Sequence, residues 1–220
     1  MPVTDTSLQR AQNSVAGTIS AARHALQQGV GMNLAGGTHH AYADHGEGFC
    51  VLNDIAISAM DLLSSREVES VLVVDLDVHQ GNGTAKIFAN DSRVFTFSMH
   101  GENNYPMYKE ASDLDVPLPL NCTDDMYLKK LESHLPQLIE SHTPQIIYFQ
   151  AGVDVLAIDK LGKLGLTKEG LKQRDELVIK TSFINKIPLV ITMGGGYSQK
   201  LSDLVDAHCN TFRTVLSIYH

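Results

Sequence analysis

The sequence predicts an α/β protein with a mainly parallel sheet and helices on both faces. Three features of the chain predict it. Apolar runs of strand length alternate with apolar stripes at three- and four-residue steps. The strand-length runs are continuous, as in sheets covered on both faces. Four of these runs are each followed directly by a polar, glycine-containing cluster. In open parallel sheets, ligands bind beyond the carboxyl ends of the strands.

Leu8, Ala11, Val15, Ile19, Ala22 and Leu26 mark a first amphipathic helix, ended near Gly29. "GMNLAGG" (31–37) reads as a short strand entering a glycine turn. Val51, Leu52, Ile55, Ala59, Leu62 and Leu63 mark a second helix. "VESVLVVDLD" (68–77) and "RVFTFSMH" (93–100) read as strands. Residues 101–122 read as irregular, because Pro106, Pro117 and Pro119 restrict the backbone. Asp124 and Asp125 suit a helix N-terminus. Tyr127, Leu128, Leu131, Leu135 and Leu138 continue that helix, with Pro136 as a kink point. "PQIIYFQAG" (144–152) is a strand. Thr167 caps a helix running to about residue 184. "IPLVITMGGG" (187–196) is a strand ending in glycines. Leu201, Leu204, Val205, His208, Phe212 and Val215 form the last helical stripe. No repeat, low-complexity segment or linker interrupts the 220 residues, so one domain over 1–220 is expected.

Composition narrows the function. A formal net charge of −8, no Lys/Arg cluster and no Trp argue against nucleic-acid binding. Cys50, Cys122 and Cys209 are widely spaced and form no CxxC. That pattern is neither a disulfide framework nor a thiolate zinc site, and it suits a reducing compartment. No apolar run is long enough to span a bilayer, and the first residues lack a signal pattern. A cytoplasmic location is expected, or a nuclear one in a eukaryotic source. Ten histidines are the compositional surplus.

The four polar clusters are "THHAYADHGEGFC", "DVHQGNG", "GVD" and "GGGYS". A parallel sheet would bring all four to one rim. Asp75, Asp77 and His79 recur at every second position, which on an extended chain is one face. Asp77 and His79 are good ligands for a borderline metal, and Asp154 can supply a third from a neighbouring strand. Each motif alone is of low specificity, and a solvated strand end with ordinary acids is the competing reading. His39 and His40 are adjacent and can serve one site as base and partner. Tyr197 follows three glycines, where the backbone can approach a ligand closely. Its phenol could donate to an oxyanion; taken alone it reads as a turn-packing tyrosine.

"GGTHHAYADHGEGFCVLND", "VDLDVHQGNGT", "AGVD" and "GGGY", in this order, resemble the zinc-dependent histone deacetylase family with its arginase-like fold. The resemblance runs from about Gly17 to the last helix. "AGVDVLAIDKLGKLGLTKEGLKQRDELV", and Gln80 after His79, are most similar to the class IV branch and its bacterial relatives. The resemblance implies Asp77, His79 and Asp154 as zinc ligands, with Fe2+ or Mn2+ chemically admissible. It implies His39 and His40 as the catalytic pair and Tyr197 as the transition-state tyrosine. Phe49 and Gly48 match the acyl-lysine channel, and Gly195 joins them as a substrate-binding position. Asp75 matches the acid that pairs with His39 and helps hold a structural potassium ion. Ser98 and the backbone carbonyls of Asp77, His79 and Met99 complete much of that shell. Asn82 stands where several members carry an acid beside the second histidine, and it is expected to tune His40.

The implied activity is removal of acetyl or longer acyl groups from lysine in proteins or peptides. Small acylated amines such as acetylpolyamines are alternative substrates. A two-manganese ureohydrolase shares the fold but needs more acids than Gln80 and Gly81 offer. Family members carry a section ahead of the first helix seen here, including two edge strands. The chain is therefore expected to be N-terminally incomplete, and an inactive acyl-lysine- or metal-binding remnant is the non-enzyme alternative. An uncovered sheet edge would favour homo-oligomers.

Overall fold

The computed structural model describes residues 4–219. The elements run α1 (Asp5–Gln28), β1 (Val30–Asn33), α2 (Asp54–Ser64), β2 (Val71–Asp75), α3 (Asn82–Phe88) and β3 (Val94–Gly101). They continue with β4 (Leu114–Leu118), α4 (Asp124–His142), β5 (Ile146–Gln150), α5 (Lys168–Asn185), β6 (Leu189–Thr192) and α6 (Leu201–Tyr219). The six strands form one sheet of order β1-β6-β5-β2-β3-β4, and every pairing is parallel.

Local chemistry explains the boundaries. Thr4 caps α1 by accepting the Ser7 N–H, and Gly29 ends it at φ 90, a conformation open to glycine. Thr167 caps α5 by accepting the Gly170 N–H. Strands β2 and β5 are buried at every position. Successive strand residues face opposite sides of the sheet, so each side has its own core. Val71, Val73, Tyr148 and Val190 pack with Ala22, Ile55 and Leu62 of α1 and α2. Leu72, Val74, Phe149 and Ile191 pack with Leu131, Leu135, Leu171 and Val178 of α4 and α5.

Four details differ from the sequence reading. Strand β4 lies inside the stretch read as irregular; it is an edge strand, where a proline such as Pro117 is tolerated. Helix α3 opens with Asn82-Gly83, a turn-like dipeptide that hides a seven-residue helix. Helix α2 begins at Asp54 with Asn53 as its cap, leaving Val51 and Leu52 outside. Strand β2 stops at Asp75, two residues short of the expected end.

The strands followed by polar clusters are β1, β6, β5 and β2, four consecutive neighbours in the sheet. Because all pairings are parallel, their clusters emerge along one edge. From β2 the chain moves outward to β3 and β4; from β5 it moves the other way to β6. The reversal leaves a crevice between the ends of β2 and β5.

Candidate active site

Beyond Asp75 the chain coils on its own carboxylates. Asp75 Oδ1 accepts the Asp77 N–H at 3.2 Å, and Asp77 Oδ1 accepts the His79 N–H at 3.0 Å. These two side-chain-to-backbone turns gather Asp77 and His79. They come together through turn chemistry, not through the strand alternation read from the sequence. Asp154 reaches in from the segment after β5, and its Oδ1 accepts the Val78 N–H at 2.9 Å. His79 Nδ1 lies 3.0 Å from Asp77 Oδ1 and 3.2 Å from Asp154 Oδ2. One donor atom from each of the three residues falls within 4.8 Å of the others.

The electrostatics of this group suit a cation. Burial pushes the Asp77 carboxyl up, but the His39 charge and the His79 hydrogen bond outweigh it and hold Asp77 well below its usual range. Asp154 is pushed up, first by burial and then by the Asp77 charge. His79 is raised to about 10: burial opposes the charge, but hydrogen bonds to Asp154 and Asp77 overcome it. Two dry carboxylates thus flank the His79 ring, with the His39 charge 3.9 Å from Asp77. Asp154 Oδ2 is fully buried, and beyond the His79 ring 3.2 Å away no group among the described residues donates to it, so acceptor capacity is left over. Two carboxylates and one imidazole nitrogen, converging on a point, fit a divalent borderline metal with an open coordination position. The backbone accommodates this crowding at Gly195. Its N–H donates to Asp77 Oδ2 at 3.0 Å, and a Cβ there would lie 2.4 Å from Asp154 Oδ2.

The histidine pair sits on a loop pinned by Asp54. That carboxylate accepts the N–H of Gly37 at 3.0 Å, the N–H of Thr38 at 2.7 Å and the Thr38 hydroxyl at 2.6 Å. His39 Nδ1 lies 2.6 Å from Asp75 Oδ2. Burial opposes its charge, but the charges of Asp75 and Asp77 win and raise it to about 9. His40 Nδ1 lies 2.7 Å from Asn82 Oδ1. The orientation of that amide follows from its other end, where Nδ2 donates to Glu47 Oε1 at 2.9 Å. An ionised carboxylate can only accept, so the amide oxygen must face His40. His40 then carries its proton on Nδ1 and leaves Nε2 bare. Burial, followed by repulsion from His39, lowers His40 to about 3. Two rings 4.1 Å apart therefore hold opposite protonation states.

Both groups open into a cavity of about 1070 Å³, lined also by Gly48, Phe49, Tyr105, Gly195 and Tyr197. Gly48 has φ 54, and a Cβ there would meet His40 Cδ2 at 2.4 Å. Phe49 has φ 67 and is 78% exposed at the cavity rim. Tyr197, 48% exposed, reaches the cavity from the loop after β6. Asp75 and Ser98 are partners in register on adjacent strands. Within the protein, the Ser98 hydroxyl lies 2.9 Å from His100 Nδ1. Gln80 acts as a brace: its amide donates to the Glu110 carbonyl at 2.6 Å and to Asp115 at 2.8 Å, and accepts the Glu110 N–H at 2.9 Å.

Sequence reasoning overlooked several residues. Tyr105 packs edge-on against His40 with ring centroids 5.0 Å apart, and its hydroxyl meets Glu47. It comes from the stretch read as irregular, and no periodicity marks it. Glu47 and Asp54 lie inside or beside quoted motifs, but which polar atoms they meet depends on folding. No local pattern signals Arg174.

The chain matches the Histone deacetylase domain family over residues 1–212. It is 44% identical over 212 residues to an uncharacterized protein of Picosynechococcus sp., covering 96% of this chain and 71% of that protein. It is 34% identical to Histone deacetylase 2 of Arabidopsis thaliana, covering 88% of this chain and 51% of that protein. Against Type-1 histone deacetylase 1 of Dictyostelium discoideum the identity is 32%, covering 99% of this chain and 44% of that protein. The chain spans about half the length of these two named deacetylases. With a family match over most of its length, and a parallel sheet whose switch point carries three residues able to hold a metal, this chain belongs to the histone deacetylase family.

Proposed function

We propose that the chain is a metal-dependent amidohydrolase that removes acetyl or longer acyl groups from the side-chain amine of lysine, as one catalytic domain. The observation that carries this reading is the split histidine pair beside three converging metal-ligand atoms in one cavity. Zinc, held by Asp77, His79 and Asp154, would supply Lewis acidity toward the amide carbonyl and activate water. His40, neutral and bare at Nε2, takes the proton of the attacking water and later gives it to the leaving amine. Asn82 holds the tautomer that this step needs, and Glu47 holds Asn82. His39, kept charged by Asp75, favours the neutral form of His40 and stabilises negative charge developing nearby. The Tyr197 hydroxyl donates to the oxyanion as the carbonyl becomes tetrahedral. Gly48, Phe49 and Gly195 shape the walls along which the acyl-lysine lies.

Fe2+ in place of zinc, a potassium ion at Asp75, Ser98 and the carbonyls of Asp77, His79 and Met99, and a class IV affiliation belong to the same proposal. The register pairing of Asp75 with Ser98 supports the potassium position. The test is turnover of lysine peptides bearing acyl groups of increasing length, with acetylpolyamines as comparison substrates and Tyr197→Phe as control. Peptide turnover absent from the control is the expected result. A folded, metal-loaded protein that turns over no acylated amine would overturn the reading in favour of a binding remnant. Among the described residues, no helix is long and apolar enough to cross a membrane.

A further inference from the structure

Behind the metal-ligand group lies a charged node that the chemistry above does not use. Arg174, on α5, is the bulkiest fully buried side chain among the described residues. Its Nη1 donates to the Leu76 carbonyl at 3.1 Å and to the Gly152 carbonyl at 2.6 Å. Leu76 directly precedes Asp77, and Gly152 lies two residues before Asp154. The other edge of the guanidinium donates from Nε and Nη2 to Asp175 Oδ1, at 2.9 and 2.6 Å. The second Asp175 oxygen accepts the Thr211 hydroxyl of α6 at 2.7 Å. Phe149 of β5 packs below, with its ring centre 5.5 Å from the guanidinium carbon.

Stability alone is a poor reason for this node, because desolvation offsets most of what a buried ion pair contributes. Nor do β2 and β5 need it to pair: their register already runs from Val71↔Ile146 to Asp75↔Gln150. There the register ends, while Asp77 and Asp154 lie two and four residues further on. Past that point the spacing of the two acids depends on other bonds. Arg174 bridges the two segments there with a single nitrogen. A planar fork can hold two carbonyls and a carboxylate at once; a lysine ammonium is a point charge on a flexible stem.

We infer that Arg174 is a positioning residue for the metal centre: by drawing the Leu76 and Gly152 carbonyls to one nitrogen, it sets the separation of Asp77 and Asp154. Asp175 and Thr211 hold the guanidinium in place. The inference rests on the proposed reading that Asp77, His79 and Asp154 bind a divalent metal.

The experiment is Co2+ titration of the metal-stripped protein, read by visible absorption and by competition with a chelator. Wild type, Arg174→Lys, Thr211→Val and the core control Val178→Ala are compared where circular dichroism shows each to be folded. Arg174→Lys is expected to lose about tenfold or more in Co2+ affinity, the scale for partners that orient metal ligands, and to shift the visible bands. Thr211→Val is expected to change both in the same direction by less. Val178→Ala is expected to lower Tm and leave affinity and bands unchanged. Wild-type affinity and bands in Arg174→Lys, with only Tm lowered, would overturn the inference. If Arg174→Lys does not fold, wild-type behaviour of Thr211→Val overturns it. Absence of Co2+ binding by wild type would overturn the metal reading itself, and this inference with it.

Discussion

The two halves of the sheet end in different chemistry. Past β1, β6, β5 and β2 the chain places acids, imidazoles and glycines around one crevice. Past β3 it lends Asn103, Asn104 and Tyr105 to the wall of the same cavity, and around them it places braces. Lys109 Nζ donates to the Asn104 and Pro106 carbonyls at 2.7 and 2.6 Å, closing its own loop. Ahead of β4, Asp113 accepts both the N–H and the hydroxyl of Thr96 at 2.8 Å, tying the entry of β4 to β3. Gln80 ties the segment after His79 to this braced region. Both halves use the same polar residue types. Topology separates them: at the reversal between β2 and β5 the loops diverge and leave room for a ligand.

That contrast can be broken by substitution. The largest effect is expected for Asp154→Ala, which removes one of two converging carboxylates. Metal content by elemental analysis falls from about one per chain to near zero, and turnover goes with it. Metal retained at full occupancy would place the metal elsewhere. Next is Tyr197→Phe, expected to lower kcat by about 10²–10³ with metal content unchanged. Glu47→Ala follows. It frees the Asn82 amide to turn its NH2 toward His40, and kcat is expected to fall by about tenfold, the scale for supporting partners. Unaltered kcat would mean that the His40 tautomer is held by something else. Gln80→Ala, in the braced half, is expected to lower stability by about 1–3 kcal/mol, measured by urea unfolding, with a smaller kcat change than Glu47→Ala. A loss of kcat as large as that of Tyr197→Phe would erase the distinction between the halves.

The smallest effect is a proton count. Without metal, His79 is raised to about 10, so its ring is charged at pH 7. Its nitrogen must lose that proton to act as a ligand, so metal binding releases protons and strengthens as pH rises toward 10. Calorimetry in two buffers of different ionisation enthalpy measures the release. For the metal-free fold the sign is opposite. His39 and His79, raised to about 9 and about 10, add stability that is full below about 6.5 and is lost as pH climbs through those values. The Tm of metal-free protein is therefore expected to fall between pH 7 and pH 10.

Most of the fold was legible in the order of residues. Continuous β-branched and aromatic runs such as "VLVV" and "IIYF" read as strands buried on both faces, and Thr4, Gly29 and Thr167 act on their own helices within a few residues. Local signals failed where a neighbour decides the outcome. Pro117 sits in a strand because, among the described residues, no further strand pairs with β4. Asn82 starts a helix and does not merely turn the chain.

The candidate site divides along the same line. The identities of Asp77, His79, Asp154, His39, His40 and Tyr197 stand in short motifs that follow strands, and a parallel sheet requires strand ends to share a rim. What those groups do depends on distances across the fold. His39 is charged because Asp75 lies 2.6 Å away, and His40 is neutral because it is buried beside that charge. Glu47 orients Asn82 across 35 positions of sequence, and Arg174 reaches Leu76 across 98. Residue type and short-range spacing are written in the chain. Protonation, tautomer and ligand separation arise only from atoms brought together by the packed sheet, because charge and hydrogen bonding depend on separation in space and on water being excluded.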